Sequence, residues 1–162
     1  MAEILNLGGL GRDLTFGIIS FYSAQVKAIN AALEEVGIAI HEEGEKTEIA
    51  SPYKELQGTS GRILERLRNG TVDAFQGMEF DVVFLSMVRS NDFPDKNEKD
   101  SRRKYGHLMS PNRLCVAMSR QKRLLIVAGD EDMLSKAENA KESIKPLVEF
   151  HTLSEVHHAA HI

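Results

Sequence analysis

The sequence lacks the features that are typical of secreted proteins, membrane proteins and proteins stabilised by a bound metal. Cys115 is the one cysteine among 162 residues, so no internal disulfide can form and no cysteine cluster can hold zinc. There is no tryptophan, and no apolar run approaches the ~20 residues that a membrane span requires. The first residues do not have the pattern of a secretory signal peptide. We therefore expect a reducing compartment, the cytoplasm, with no membrane partner and no metal site.

The sequence also lacks a strong excess of either charge. Twenty Lys and Arg against twenty-four Asp and Glu give a net charge of −4, so any contact with nucleic acid must be local. Hydrophobic residues at 42% exclude wholesale disorder, and the length predicts one domain with a core at about 16–150. His157 and His161 could share a helix face and bind a metal, but we expect a frayed tail over 151–162.

Short apolar runs alternate with segments of helical periodicity. The apolar runs predict strands at residues 16–21, 38–40, 81–88 and 123–128. The helical patterns predict a helix capped by Ser23 and ended by Gly37, a helix at 112–121, and a polar helix pair at 132–150. We interpret residues 41–60 as an irregular connection, 63–67 as a helical turn or two, and 91–106 as an exposed, mobile loop.

This alternation predicts an α/β fold with a parallel sheet and helices on both faces. Ligands of such sheets bind at the carboxyl ends of the strands, so the informative loops follow residues 21, 72, 88 and 128.

Three clusters of polar residues lie in these connections. In the first, Gly77 would let the backbone approach a ligand and Glu79 could accept bonds from sugar hydroxyls, although a turn with a capping Glu is the commoner origin of this pattern. In the second, Arg113 and Arg120 lie seven residues apart and would share a helix face. An arginine there could reach a phosphate, although arginines at this spacing more often lie on a helix face that is simply exposed to solvent. The third, residues 18–25, fits a phosphate contact at a helix start or ordinary capping equally well.

Together, and in this order, the clusters resemble motifs IV, V and VI of superfamily 1 helicases. The segments that carry the resemblance are TVDAFQGMEFDVVFLSMVRS for motif V and NRLCVAMSRQK for motif VI. The branch that contains the nonsense-mediated-decay RNA helicase is the most similar. Residues 16–129 take part in the likeness, and Phe21 stands where many members of the family have proline.

The resemblance implies a second RecA-like domain of the P-loop NTPase class. In that family, ATP lies between two RecA-like domains and nucleic acid crosses both. By the same resemblance Arg120 would be the arginine finger and Arg113 a second arginine that supports the cleft. The implied nucleotide contacts are Gln76, Gly77 and Glu79, and the implied contacts to single-stranded DNA or RNA are Thr71, Tyr22 and Gln25.

The sequence contains no G-x-x-x-x-G-K-[ST] motif, so it supplies half of an ATP site. We expect ATP and Mg²⁺ to be bound mainly by an N-terminal RecA-like domain and the isolated chain to be inactive. We favour a piece of a longer helicase over a partner protein that completes the site. Two alternatives remain: a non-catalytic RecA-like module that binds nucleic acid or protein, and a flavodoxin-like domain. The choice between DNA and RNA stays open.

Overall fold

The computed structural model describes residues 11–41, 47–136 and 139–159. The strands are β1 (Phe16–Ser20), β2 (Ala39–Ile40), β3 (Glu48–Ile49), β4 (Glu55–Gln57), β5 (Ile63–Glu65), β6 (Leu67–Thr71), β7 (Phe80–Ser86) and β8 (Gln121–Ala128). The helices are α1 (Ser23–Glu35), α2 (Glu98–Tyr105), α3 (Pro111–Ala117), α4 (Asp132–Ser135), α5 (Ala140–Ser143) and α6 (Lys145–Ala159), with short 3₁₀ helices at Val72–Phe75 and Gly106–Met109.

A four-stranded parallel sheet in the order β6-β1-β7-β8 forms the centre of the fold. Side chains alternate between its two faces, as the pleat of a strand requires. On one face Ile18 and Val82 pack with Leu33 of α1. On the other, Ile19 and Val83 pack in a cluster that includes residues of α3 and the C-terminal helices. The predicted parallel sheet with helices on both faces is thus confirmed.

The predicted strands at 16–21, 81–88 and 123–128 are β1, β7 and β8, with bounds that differ by one or two residues. β1 is buried throughout, and β7 lies between two parallel neighbours. β8 is different, because it pairs with β7 alone and leaves Leu124 49% exposed at the sheet edge. Its continuous apolar sequence gave no sign of that edge position.

The prediction for residues 41–67 was wrong in two places. Residues 63–67, predicted to be helical, contain β5 and the start of β6, and the supposedly irregular segment contains β3 and β4. β4 and β5 form an antiparallel hairpin in which Leu56 pairs with Leu64. Ile63 is 66% exposed, so the apolar pair at 63–64 belongs to an alternating strand rather than to one helix face.

The segment 91–106, predicted as an exposed, mobile loop, contains α2. The Asn97 side chain caps this helix by accepting a bond from the Asp100 backbone N–H at 3.1 Å. Ser101 and Tyr105 are buried, although charged residues surround them in the sequence. The many charged residues of α2 lie on its solvent-facing side. They made the sequence look like a loop, although the other side of the helix is buried.

Helix bounds also needed correction. Tyr22 occupies the N-cap of α1 and no side chain caps it, so the predicted capping residue Ser23 is already helical. α3 ends at Ala117 rather than near residue 121, which leaves Arg120 outside the helix. The C-terminal region holds three helices instead of two, and α6 continues to Ala159 through the segment predicted to be a frayed tail. His161 lies outside the described residues.

Candidate functional site

A cavity of about 540 Å³ opens at the amino ends of the sheet strands. It brings together three residues singled out from the sequence, Gly77, Glu79 and Arg120. This is the opposite sheet edge from the one that the strand topology predicted for ligands. The full lining consists of Thr15, Arg62, Leu64, Glu65, Gly77, Met78, Glu79, Phe80, Arg120 and Lys122.

Gly77 and Glu79 lie in a tight turn between the 3₁₀ helix Val72–Phe75 and β7. The Met78 backbone N–H donates to the Phe75 carbonyl at 3.2 Å and closes the turn. Gly77 has φ +74°, a left-handed conformation that favours glycine. Gln76 and Glu79 are both exposed, and Glu79 lines the cavity whereas Gln76 is not part of the lining. The turn thus presents bare backbone and a carboxylate to the cavity.

Arg120 lies between α3 and β8, with its guanidinium held by neutral oxygens. Nε donates to the Val116 carbonyl at 3.1 Å, Nη1 to the Met78 carbonyl at 3.3 Å, and Nη2 to Ser119 Oγ at 2.8 Å. The Met78 carbonyl belongs to the turn that carries Gly77 and Glu79. A half-buried cation is therefore fixed against that turn, and among the described residues no carboxylate pairs with it.

Below the cavity, Asp81 binds the segment that enters β1. Asp81 Oδ2 accepts bonds from the Thr15 backbone N–H at 2.9 Å and from Thr15 Oγ1 at 2.8 Å. Arg123 Nε donates to Asp81 Oδ1 at 3.0 Å. Burial raises the pKa of Asp81, but these bonds outweigh burial and hold its pKa below the ordinary value. Sequence reasoning missed this contact, because nothing local links Thr15 to Asp81.

A second polar cluster lies at the carboxyl ends of the strands. Tyr22 Oη accepts bonds from Arg89 Nε at 3.0 Å and from the His107 backbone N–H at 3.1 Å. Gln25 Nε2 donates to Ser86 Oγ at 3.3 Å, and Thr71 is the half-buried last residue of β6. The three predicted nucleic-acid contacts therefore share one sheet edge, away from the cavity.

Arg113 belongs to this carboxyl edge. Its Nη2 donates to Asp73 Oδ2 at 2.9 Å, and its Nη1 lies 3.2 Å from His107 Nδ1. It does not line the cavity with Arg120, so the prediction that the two arginines share a helix face was wrong. The sequence spacing was right for a helix, but the helix ends between them.

The described residues include one group with metal-ligand chemistry, Glu131, His151 and Glu155. His151 Nε2 lies 3.6 Å from Glu131, whereas its Nδ1 lies 3.8 Å from Glu155. One ligand atom from each of the three residues lies within 4.8 Å of the other two, an arrangement that exposed acidic groups commonly show without an ion. No helix in the described part of the chain is long and apolar enough to cross a membrane.

The sheet, its helix layers and the glycine turn beside an arginine define a RecA-like α/β domain. A family model described as an AAA domain matches residues 4–132. The chain is 35% identical over 104 residues to a regulator of nonsense transcripts 1 homolog of Drosophila melanogaster. It is 34% identical over 125 residues to the DNA polymerase alpha-associated DNA helicase A of Saccharomyces cerevisiae. The chain belongs to this AAA-domain family, which comprises C-terminal domains of superfamily 1 helicases.

These alignments cover most of this chain but little of the relatives. They include 64% and 77% of this chain, against 8% of the Drosophila protein and 13% of the yeast protein. A helicase required for RNAi-mediated heterochromatin assembly in Schizosaccharomyces pombe is 39% identical over 71 residues, which is 44% of this chain and 6% of that protein. The shared region is thus one domain of much longer proteins.

Proposed function

We propose that this chain is the C-terminal motor domain of an ATP-dependent helicase that acts on single-stranded DNA or RNA. The main support is the meeting of Gly77, Glu79 and Arg120 in one cavity, although motif V and motif VI are separate in the sequence. An N-terminal RecA-like domain would complete the site, because this sequence has no P-loop to bind the phosphates and Mg²⁺.

The residues of the cavity fit a nucleoside triphosphate. Within the part of the chain that the structure describes, the guanidinium of Arg120 is bound to neutral oxygens and to no carboxylate, so its charge is free to stabilise a transferring phosphoryl group. The Glu79 carboxylate can accept bonds from ribose hydroxyls. Gly77 exposes backbone for close approach, and Gln76 is placed beside it. Mg²⁺, held mainly by the other domain, would neutralise phosphate charge when bound.

The carboxyl edge of the sheet is the proposed nucleic-acid surface. Thr71 ends β6, whereas Tyr22 and Gln25 follow the neighbouring strand β1, which suits contacts along a single-stranded backbone. Arg113 joins this edge through Asp73 and His107, so we assign it to holding the surface in place rather than to the ATP cavity. The guanidinium of Arg89, which is bonded to Tyr22 Oη, adds positive charge to the same surface.

The test is steady-state ATP hydrolysis by the complete helicase with Arg120→Ala and Arg120→Lys. A finger acts when charge develops in the transition state, so Arg120→Ala should lower kcat by about 10³–10⁵-fold and change KM for ATP little. Lys should not rescue kcat, because an ammonium lacks the planar fork. The matched control is Arg102→Ala, which removes an exposed arginine paired with Glu98 on α2.

A thermal melt of each variant separates catalytic from structural effects. If folded Arg120→Ala protein hydrolyses ATP at the wild-type kcat, the finger assignment is wrong. That result would favour the alternative, a RecA-like module that binds nucleic acid or protein without ATP chemistry.

A further inference from the structure

The cavity has one wall that none of the helicase-like motifs supplies. The hairpin of β4 and β5 contributes Arg62, Leu64 and Glu65 to the lining. This hairpin lies in the stretch of sequence between the polar cluster at residues 18–25 and the one that contains Gly77 and Glu79. Its presence at the cavity was therefore visible only in the folded chain.

Backbone hydrogen bonds fix the position of the hairpin, and with it the position of the Arg62 backbone. The Gly58 backbone N–H donates to the Arg62 carbonyl at 2.9 Å, which closes the loop at the tip. At the base, the Arg66 backbone N–H donates to the Lys54 carbonyl at 3.0 Å. The Arg66 carbonyl in turn accepts from the Phe16 N–H of β1 at 2.7 Å. The hairpin is thus joined to the amino edge of the central sheet.

The charges around the cavity do not balance. Arg62, Arg120 and Lys122 all line it, and within the described ranges none of them pairs with a carboxylate. Of the two acidic residues in the lining, Glu65 is occupied by Arg68, whose Nε lies 2.8 Å from Glu65 Oε2. Three cations therefore face a single unpaired carboxylate, Glu79. Such a site attracts an anion.

We infer that Arg62 is a further nucleotide-binding residue and that its guanidinium contacts the polyphosphate of the bound nucleotide. This inference rests on the proposed function of the cavity. A guanidinium fork matches two phosphate oxygens, and the contact is equally available before and during the reaction. Arg62 therefore stabilises the ground state and the transition state alike, and its loss weakens binding without slowing the chemical step.

The experiment uses the complete helicase, with MgATP and AMP as probes. Arg62→Ala should raise Kd and KM for MgATP about tenfold, the usual size for a lost charged hydrogen bond, while kcat stays near wild type. The affinity for AMP should change much less, because AMP lacks the β- and γ-phosphates. Arg62→Lys should restore part of the affinity, and Arg102→Ala should alter none of these quantities.

Other results overturn the inference in distinguishable ways. Equal weakening of MgATP and AMP would place Arg62 against the base, the ribose or the α-phosphate, which both nucleotides share, and would overturn a contact with the β- and γ-phosphates. An unchanged Kd for MgATP, together with a large loss of kcat in Arg120→Ala, would remove Arg62 from the site and leave the proposed function intact. An unchanged kcat in Arg120→Ala is the separate failure of the proposed function. Because Arg62 is exposed, a melt should show that its variants fold.

Discussion

Gly106 shows how tightly single residues constrain the carboxyl edge. Its backbone has φ +54°, and a Cβ at this position would clash with Arg89 Nη2 and lie 2.5 Å from Tyr22 Oη. The atoms that would clash are those that hold Tyr22 in the proposed nucleic-acid surface. Glycine at this position therefore permits the Arg89–Tyr22 contact to form directly above the turn.

Gly106→Ala should destabilise the chain and disturb the surface around Tyr22. Both the left-handed backbone and the crowding act against a Cβ, so we expect a loss of roughly 2–4 kcal/mol in the free energy of unfolding. Urea unfolding measures it. Gly37→Ala is the matched control, because Gly37 has φ +72° and nothing within 4 Å of a Cβ. Equal losses in the two variants would show that crowding at Gly106 has no energetic effect.

Single residues were predictable from the sequence where the chemistry is local. Gly77 and Glu79 lie next to each other in one turn before β7, and a motif can show that. The Thr15–Asp81 and Arg89–Tyr22 contacts join residues more than sixty positions apart. The direction of each side chain there depends on how strands pair, which spacing along the chain does not encode.

At the scale of elements, Asp95 joins three parts of the chain. Its carboxylate accepts bonds from Ser101 Oγ, from Tyr105 Oη at 2.6 Å and from the Asn139 backbone N–H at 2.9 Å. Burial raises the pKa of Asp95, but these donors outweigh burial and lower its pKa below the ordinary value. Burial also raises the pKa of the Tyr105 hydroxyl, together with its bond to Asp95. Asp95 therefore fastens α2 and the segment before α5 to the loop that connects β7 to α2.

Asp95→Asn should weaken this junction more than its small change in size suggests. The amide would turn an NH₂ group toward donors that need an acceptor, so we expect a loss of roughly 2–4 kcal/mol in stability. Hydrogen exchange should show α2 losing protection before the central sheet does. The exposed Asp92→Asn serves as control. Uniform loss of protection in both regions would contradict a local junction.

Elements with continuous apolar patterns were predicted correctly, and those defined by pairing were not. β1 and β7 are buried strands with nearly unbroken apolar sequences. β4 and β5 are three residues each and exist because they pair, and α2 has a buried face of only Ser101 and Tyr105. In both cases tertiary contact outweighs a weak local pattern.

For the whole molecule, the sheet separates two surfaces. The proposed nucleotide cavity lies at the amino edge, and Tyr22, Gln25 and Thr71 lie at the carboxyl edge. α3 spans the distance between them, with Arg113 bonded at the carboxyl edge and Arg120 following its other end. The parallel α/β class was predictable from alternation, but that prediction placed every candidate at one edge. Which edge a loop reaches depends on whether it enters or leaves a strand.

Two carboxyls link the stability of the whole fold to pH. Asp81 and Asp95 both have native pKa values below the ordinary unfolded value of about 3.9. Between the native and unfolded values, the unfolded chain binds protons that the native chain does not. Acid therefore favours unfolding in that range. The stabilisation is fully present above the unfolded pKa and disappears as pH falls through the native values.

We therefore expect the stability of the chain to be nearly level from pH 6 to about 5 and to fall steeply below about 4. Asp81→Asn should lower stability at pH 6 and make the acid loss shallower, because one of the linked protons has been removed. The midpoint of urea unfolding, measured at intervals between pH 6 and 3, tests this. Most of the titration of the six histidines occurs above this pH range, so it contributes little to the measured change. An exposed Asp92→Asn variant should retain the full acid slope. If Asp81→Asn keeps the wild-type slope as well, Asp81 does not carry a depressed pKa in the native chain.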